Sequence, residues 1–276
     1  VTVNSIRKFY DPVYNFTTFI TQGQDVRLMS SKLTLKAQIG SREILINDIK
    51  LVLNSPVQKH KSEVVFPALD LINIIDPILY PTHIKNQQDF DTVVIDASHG
   101  GKDNGCRGVY GHEKDCALAI AGAVGTACKA RGFKVVYTRS TDNFITVAER
   151  VKILNNTAKS VLISLEFNSD STGSKSGIET LALHINNKQD SKCIALATAV
   201  HAAVISRFKF VDLGIKTASA SSFPGSSRPG IVFVGGFISH EKEGKLINSD
   251  AYKKDVSAAI ADGLVSYRQA VKSAIQ

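Results

Sequence analysis

The chain has 276 residues, 43% of them hydrophobic, and a formal net charge of +8 at pH 7. That length and a mean hydropathy near zero allow substantial buried cores and fit two domains, while no stretch approaches the ~20 apolar residues that span a bilayer. The four cysteines, Cys106, Cys116, Cys128 and Cys193, form no CxxC pair, which argues against a cysteine-held zinc. Cys116 and Cys128 share one helical run and lie too far apart to bridge. Buried free thiols are expected, with a Cys106 to Cys116 bridge as the lesser alternative.

In chain order, the segments 25–31, 32–39, 42–48 and 50–57 alternate apolar and polar residues, with Gly40-Ser41 and Asn47-Asp48 at the turns between them. Period-two alternation with such turns predicts antiparallel hairpins. The segment 68–79, ALDLINIIDPIL, predicts a helix packed on that sheet and broken at Asp76-Pro77. Residues 81–90, PTHIKNQQDF, are polar, proline-initiated and aperiodic, and are read as a protease-sensitive linker. The expected division is a small β-rich unit over 1–85 and a larger unit over 91–276.

In the larger unit, strands alternate with helices. VVID (93–96) precedes a helix over 116–130 that stops at Arg131-Gly132, followed by the strand FKVVYT (133–138). Thr146 and Glu149 form a capping box for the next helix. The strands SVLISL, ETLALHI and GIVFVG and helices over 192–208 and 250–271 complete the series. Continuous apolar strands with helical crossovers predict an α/β fold, a mostly parallel twisted sheet covered by helices on both faces. In such sheets ligands bind beyond the carboxyl ends of the strands, where His99 and Glu166 both fall.

Residues 93–114, VVIDASHGGKDNGCRGVYGHEK, run from a buried strand into a glycine-rich loop, with His99 at its crest and Glu113 before a helix. The glycines permit turns sharp enough to bring a histidine and a distant carboxylate onto one ion, half of a zinc site. With EKD (113–115), TDNFITVAERVKILNN (141–156), SVLISLEFN (160–168), GIET (177–180) and PGIVFVGGFIS (229–239) following in order, residues 91–270 resemble the zinc-dependent N-acetylmuramoyl-L-alanine amidases of bacterial cell-wall metabolism. The resemblance implies a metal held by the histidine of HGG, the glutamate of EKD and a histidine in a Ser-Ile-His-x-Asn motif. It also implies a catalytic glutamate in a Val-Glu-x-Gly-Phe motif. His99 and Glu113 match, but the third ligand position is Glu166 and the catalytic position is Val234. Asn168, which closes the third motif, is expected to touch substrate. The hairpin region before the linker weakly resembles the small N-terminal accessory domain of copper amine oxidases and of several cell-wall proteins, and no function is carried over from it.

An amide hydrolase of this kind needs three protein ligands, an open metal position and a base for the attacking water. Val234 supplies no base. A carboxylate in place of imidazole gives His99, Glu113 and Glu166 two negative charges, which lowers the ion's acidity toward water and favours harder metals. Zinc is therefore expected to be held weakly or to be absent. An alternative makes Glu166 the base and leaves two ligands. Each residue also has a plainer reading: His99 in a turn, Glu113 as an anion at a helix start, Glu166 as a solvated strand-end carboxylate, Val234 in the core. His112, beside Glu113, is the one other histidine near this motif.

The resemblance thus implies a cell-wall protein with a degenerate site that binds peptidoglycan or muropeptides rather than cleaving them efficiently. An active amidase with a rearranged site and a non-catalytic interaction or regulatory protein are the alternatives. The basic charge favours anionic partners, and by charge alone envelope polymers fit as well as nucleic acid. The motifs favour the envelope, and no nucleic-acid partner is expected. A start at Val1 without methionine fits an extracytoplasmic protein whose signal segment has been removed.

Overall fold

The computed structural model describes all 276 residues. Helix α1 (Val3–Tyr14) begins at Thr2, whose hydroxyl accepts the Ser5 amide, and turns Val3, Ile6 and Tyr10 into the core. Pro12 inside it hides this helix from sequence patterning. An antiparallel meander follows: β1 (Thr18–Gln22), β2 (Asp25–Met29), β3 (Thr34–Gln38), β4 (Glu43–Ile46) and β5 (Ile49–Val52). Between β4 and β5, Asn47 and Asp48 both take positive φ, 50° and 63°, which the tight hairpin turn requires and these side chains tolerate. The small hairpin β6 (Gln58–His60) and β7 (Glu63–Val65) leads into α2 (Ala68–Asp70), a π-helical stretch Leu71–Ile75 and α3 (Asp76–Leu79). The expected break at Asp76-Pro77 does not occur. The π-helical stretch runs directly into α3, with the Asp76 amide donating to the Leu71 carbonyl, and Pro77 is the second residue of α3.

Next come β8 (Thr92–Ala97), the short pair β9 (Arg107–Gly108) and β10 (Gly111–His112), α4 (Glu113–Ala130), β11 (Lys134–Tyr137), α5 (Val147–Asn156) and β12 (Ser160–Asn168). Then follow β13 (Ile178–Ala182), the pair β14 (His184–Ile185) and β15 (Lys188–Gln189), α6 (Ser191–Ile205), β16 (Asp212–Thr217), β17 (Gly230–Phe237), α7 (Glu241–Ile247) and α8 (Asp250–Ile275). The capping box at Thr146 and Glu149 is present at the start of α5.

One sheet of eleven strands runs through the molecule in the order β1-β2-β3-β4-β5-β16-β13-β17-β12-β8-β11. The strands β11, β8, β12 and β17 are mutually parallel, and β13 is antiparallel to β17 and parallel to β16. The link between the meander and this parallel part is β5 against β16, with Leu51 opposite Ile215. The expected boundary at 81–90 therefore separates neither sheet nor core, because one hydrophobic cluster of 64 residues spans both sides of it. The connecting segment is itself packed: Ile84 and Phe90 are buried, and Phe90 stacks on Phe133 at 5.7 Å.

Helices α4, α6 and α8 pack together behind the parallel strands. On the opposite face α5 sends Arg150 to Asp96, and β8 and β17 are buried along their whole length on both faces. All four cysteines are free thiols. Cys116, Cys128 and Cys193 are buried as expected, whereas Cys106 is exposed in the loop after β8.

Candidate active site

The strand β8 ends in a loop that holds His99 in the left-handed region, φ 59°, a conformation unusual for a side chain of this size. Two buried arginines fix it. Arg139 donates to the carbonyls of Ala97 at 2.9 Å and of Ser98 and Lys114 at 2.8 Å each. Arg150 donates to the carbonyls of Ala97 at 2.7 Å and His99 at 2.6 Å, and pairs with the buried carboxylate of Asp96. Asp96 is completed by the Thr138 and Ser164 hydroxyls at 2.5 and 2.8 Å. Gly105 closes over this arrangement: a Cβ there would stand 2.6 Å from the His99 ring and 2.7 Å from Glu113.

His99 and Glu113 come together as the motifs predict. His99 Nε2 lies 3.1 Å from Glu113 Oε2, and its Nδ1 lies 2.9 Å from Asp103. The hydrogen bond to Glu113, reinforced by Asp103 against the effect of burial, raises the His99 pKa to about 9. Burial alone would raise the Glu113 pKa, but His99 and the amides of Cys106 and Phe167, at 3.0 and 2.9 Å, outweigh it and hold the carboxyl below its usual range.

Glu166 projects from β12 into the same cavity of about 280 Å³, which Asp96, Arg150, Phe144 and Phe223 also line. It forms no ion pair. Burial first, then the charges of Glu113 and Asp96, push its carboxyl up to about 7. Glu166 stands directly across from Val234 on β17, and Val234 across from Glu179 on β13. Since side chains alternate along each strand, these three share one row on one face. Asn168 donates to Glu179 at 2.9 Å, and Lys216 pairs with the same carboxylate.

Of the three expected ligands, His99 and Glu113 are in contact and Glu166 stands apart from them in the cavity, and no three His, Cys, Asp or Glu side chains form a closed donor group. Binding a cation through His99 Nε2 would compete with the proton that Glu113 and Asp103 favour on the ring. Sequence reasoning missed Arg139 and Arg150, which support the site through backbone carbonyls, and Asp96, whose carboxylate accepts from Arg150. It also missed Asp103, for which the spacing of four residues from His99 was the one signal.

The near-neutral carboxyl of Glu166 has a measurable consequence. Between pH 4.5 and 7 the folded protein keeps a proton that the unfolded chain has released, so the fold loses stability as pH rises through that window. Glu166→Gln is expected to stabilise the protein by about 1–3 kcal/mol at pH 8 and by much less at pH 5. Thermal melts at the two pH values with chelator present check this, and an equal gain at both would contradict it.

Comparison with known proteins agrees with the geometry. A family model described as N-acetylmuramoyl-L-alanine amidase matches residues 93–266. The chain is 31% identical over 176 residues to the uncharacterized protein YqiI of Bacillus subtilis, covering 64% of this chain and 84% of that one. It is 30% identical over 184 residues to the N-acetylmuramoyl-L-alanine amidase LytC of the same bacterium, covering 67% of this chain but only 37% of LytC. Among solved structures, the catalytic domain of CwlV, an N-acetylmuramoyl-L-alanine amidase from Bacillus (Paenibacillus) polymyxa var. colistinus, superposes with a TM-score of 0.59 at 29% identity, over 64% of this chain and 98% of that one. An N-acetylmuramoyl-L-alanine amidase from Clostridium difficile 630 gives 0.60 at 29% identity, over 65% of this chain and 97% of that one. The fold, the motif order and these matches converge, and the chain belongs to the N-acetylmuramoyl-L-alanine amidase family.

Proposed function

We propose that this protein is an extracytoplasmic member of the family that binds peptidoglycan or muropeptides and has lost efficient cleavage of the bond between the muramic acid lactyl group and L-alanine. The observation that carries this reading is Val234, 3% exposed and apolar, between Glu166 and Glu179 where the family places its base. Loss of a general base costs about two to four powers of ten in rate, and Val234 has no atom that can take a proton from water. The cavity itself persists, with polar groups on its floor and Phe144 and Phe223 on its walls, which suits a glycopeptide. No helix is long and apolar enough to cross a membrane.

The second reading, an active enzyme with Glu166 as base, draws on one observation: a carboxyl near pH 7 is poised for proton transfer. Purified peptidoglycan sacculi separate the two. The protein should sediment with sacculi yet release no peptide above a heat-killed control, and zinc should be substoichiometric after dialysis against a mild chelator. Zinc-dependent peptide release that Glu166→Gln abolishes would replace the binding reading with the catalytic one.

A further inference from the structure

We propose that the amino-terminal ends of the parallel strands, opposite the His99 cavity, hold a separate site for a phosphate-class oxyanion. A cavity of about 230 Å³ lies there, bounded by the starts of β12 and β17, the segment leading into β8, and Tyr267 of α8. Its walls offer donors that the protein leaves unused. Arg228 Nε is buried without a hydrogen-bond acceptor, and its guanidinium forms no ion pair. The residue as a whole is half-buried, but a buried donor atom without an acceptor is uncommon in folded proteins, which points to an acceptor from outside the chain. Pro229 restricts the backbone of Arg228 to extended conformations and so helps to hold it at the cavity.

Tyr267 adds a second donor. Its side chain is 4% exposed, lines the cavity, and makes no hydrogen bond within the chain. Burial keeps its hydroxyl protonated, so it can only donate to an anion. Lys159 lines the cavity with no carboxylate in ion-pair range, and Lys192 meets Asp190 only at 3.5 Å. The one carboxylate in the wall, Asp89, faces Lys272 at 3.6 Å. What remains free is a guanidinium fork, a phenol and an ammonium, all donors. A ligand with several oxygens that only accept, as in phosphate, satisfies such a set, and arginine binds oxyanions through paired donors.

Calorimetric titration with inorganic phosphate at fixed ionic strength, with chloride as the reference, tests the site. One saturable equivalent is expected. Arg228→Gln should weaken it about tenfold or more and Tyr267→Phe about threefold, while Glu166→Gln in the other cavity should leave it unchanged. If Arg228→Gln fails to fold, Lys159→Gln, at an exposed position, should still weaken binding severalfold. Glycerol phosphate and a poly(glycerol phosphate) chain then distinguish a free monoester from the diester of an anionic polymer, and binding of either that needs Arg228 supports the site. Absence of phosphate binding at millimolar concentration, or binding that none of these cavity substitutions weakens, overturns it.

Discussion

Glu166→His combined with Val234→Glu is expected to give zinc-dependent muropeptide release at least about a hundredfold above that of the wild type. The His99 and Glu113 side chains already meet at 3.1 Å, and Glu166 and Val234 stand across from one another on adjacent strands. The imidazole introduced at 166 would supply the missing neutral ligand, and the carboxylate introduced at 234 the missing base. Neither change should suffice alone, because residues that act as a unit are strongly non-additive. Val234→Glu alone should also cost about 2–4 kcal/mol of stability, since it sets a third carboxylate between Glu166 and Glu179 at a buried position, with Lys216 already paired to Glu179. Muropeptide release by chromatography and zinc by elemental analysis check the double variant. A folded, zinc-loaded but inactive double variant would mean that the loss extends beyond these two positions.

The second large effect is expected at Arg150. Arg150→Met should destabilise the protein by about 3–5 kcal/mol, because it leaves the buried Asp96 carboxylate without its cation and releases the carbonyls of Ala97, His99 and Ile145. Adding Asp96→Asn should recover part of that loss, since the uncompensated charge disappears. Urea unfolding of the single and double variants measures both. A loss below about 1 kcal/mol for Arg150→Met would show that the buried pair contributes little beyond packing.

The strands and helices with strong periodicity, from VVID through the final helix, are legible in the sequence because local pattern and tertiary environment agree there. β16 is harder to see. Its sequence DLGIKT is short, contains Gly214 at φ 83°, and becomes a strand through its partners β13 and β5. The 81–90 segment looks like a linker for a related reason. Its two anchors, Ile84 and Phe90, are too few and too widely spaced to show a period, yet both are buried. In the site, His99, Glu113, Glu166 and Val234 are legible because a motif order fixes them. Arg139 and Arg150 are not, because they act on carbonyl oxygens from distant segments, and no residue pattern encodes a backbone acceptor.

The strand β5 beside β16 also bears on self-association. Taken alone, the residues that match the family would end their sheet at β16, leaving a row of unpaired amides and carbonyls as a template for another chain. The meander moves that open margin outward to β1, whose five residues TFITQ are short and largely polar, with no side chain fully buried. Residues 1–52 thus shield the amidase sheet from edge-to-edge pairing, a role they fill whatever they bind.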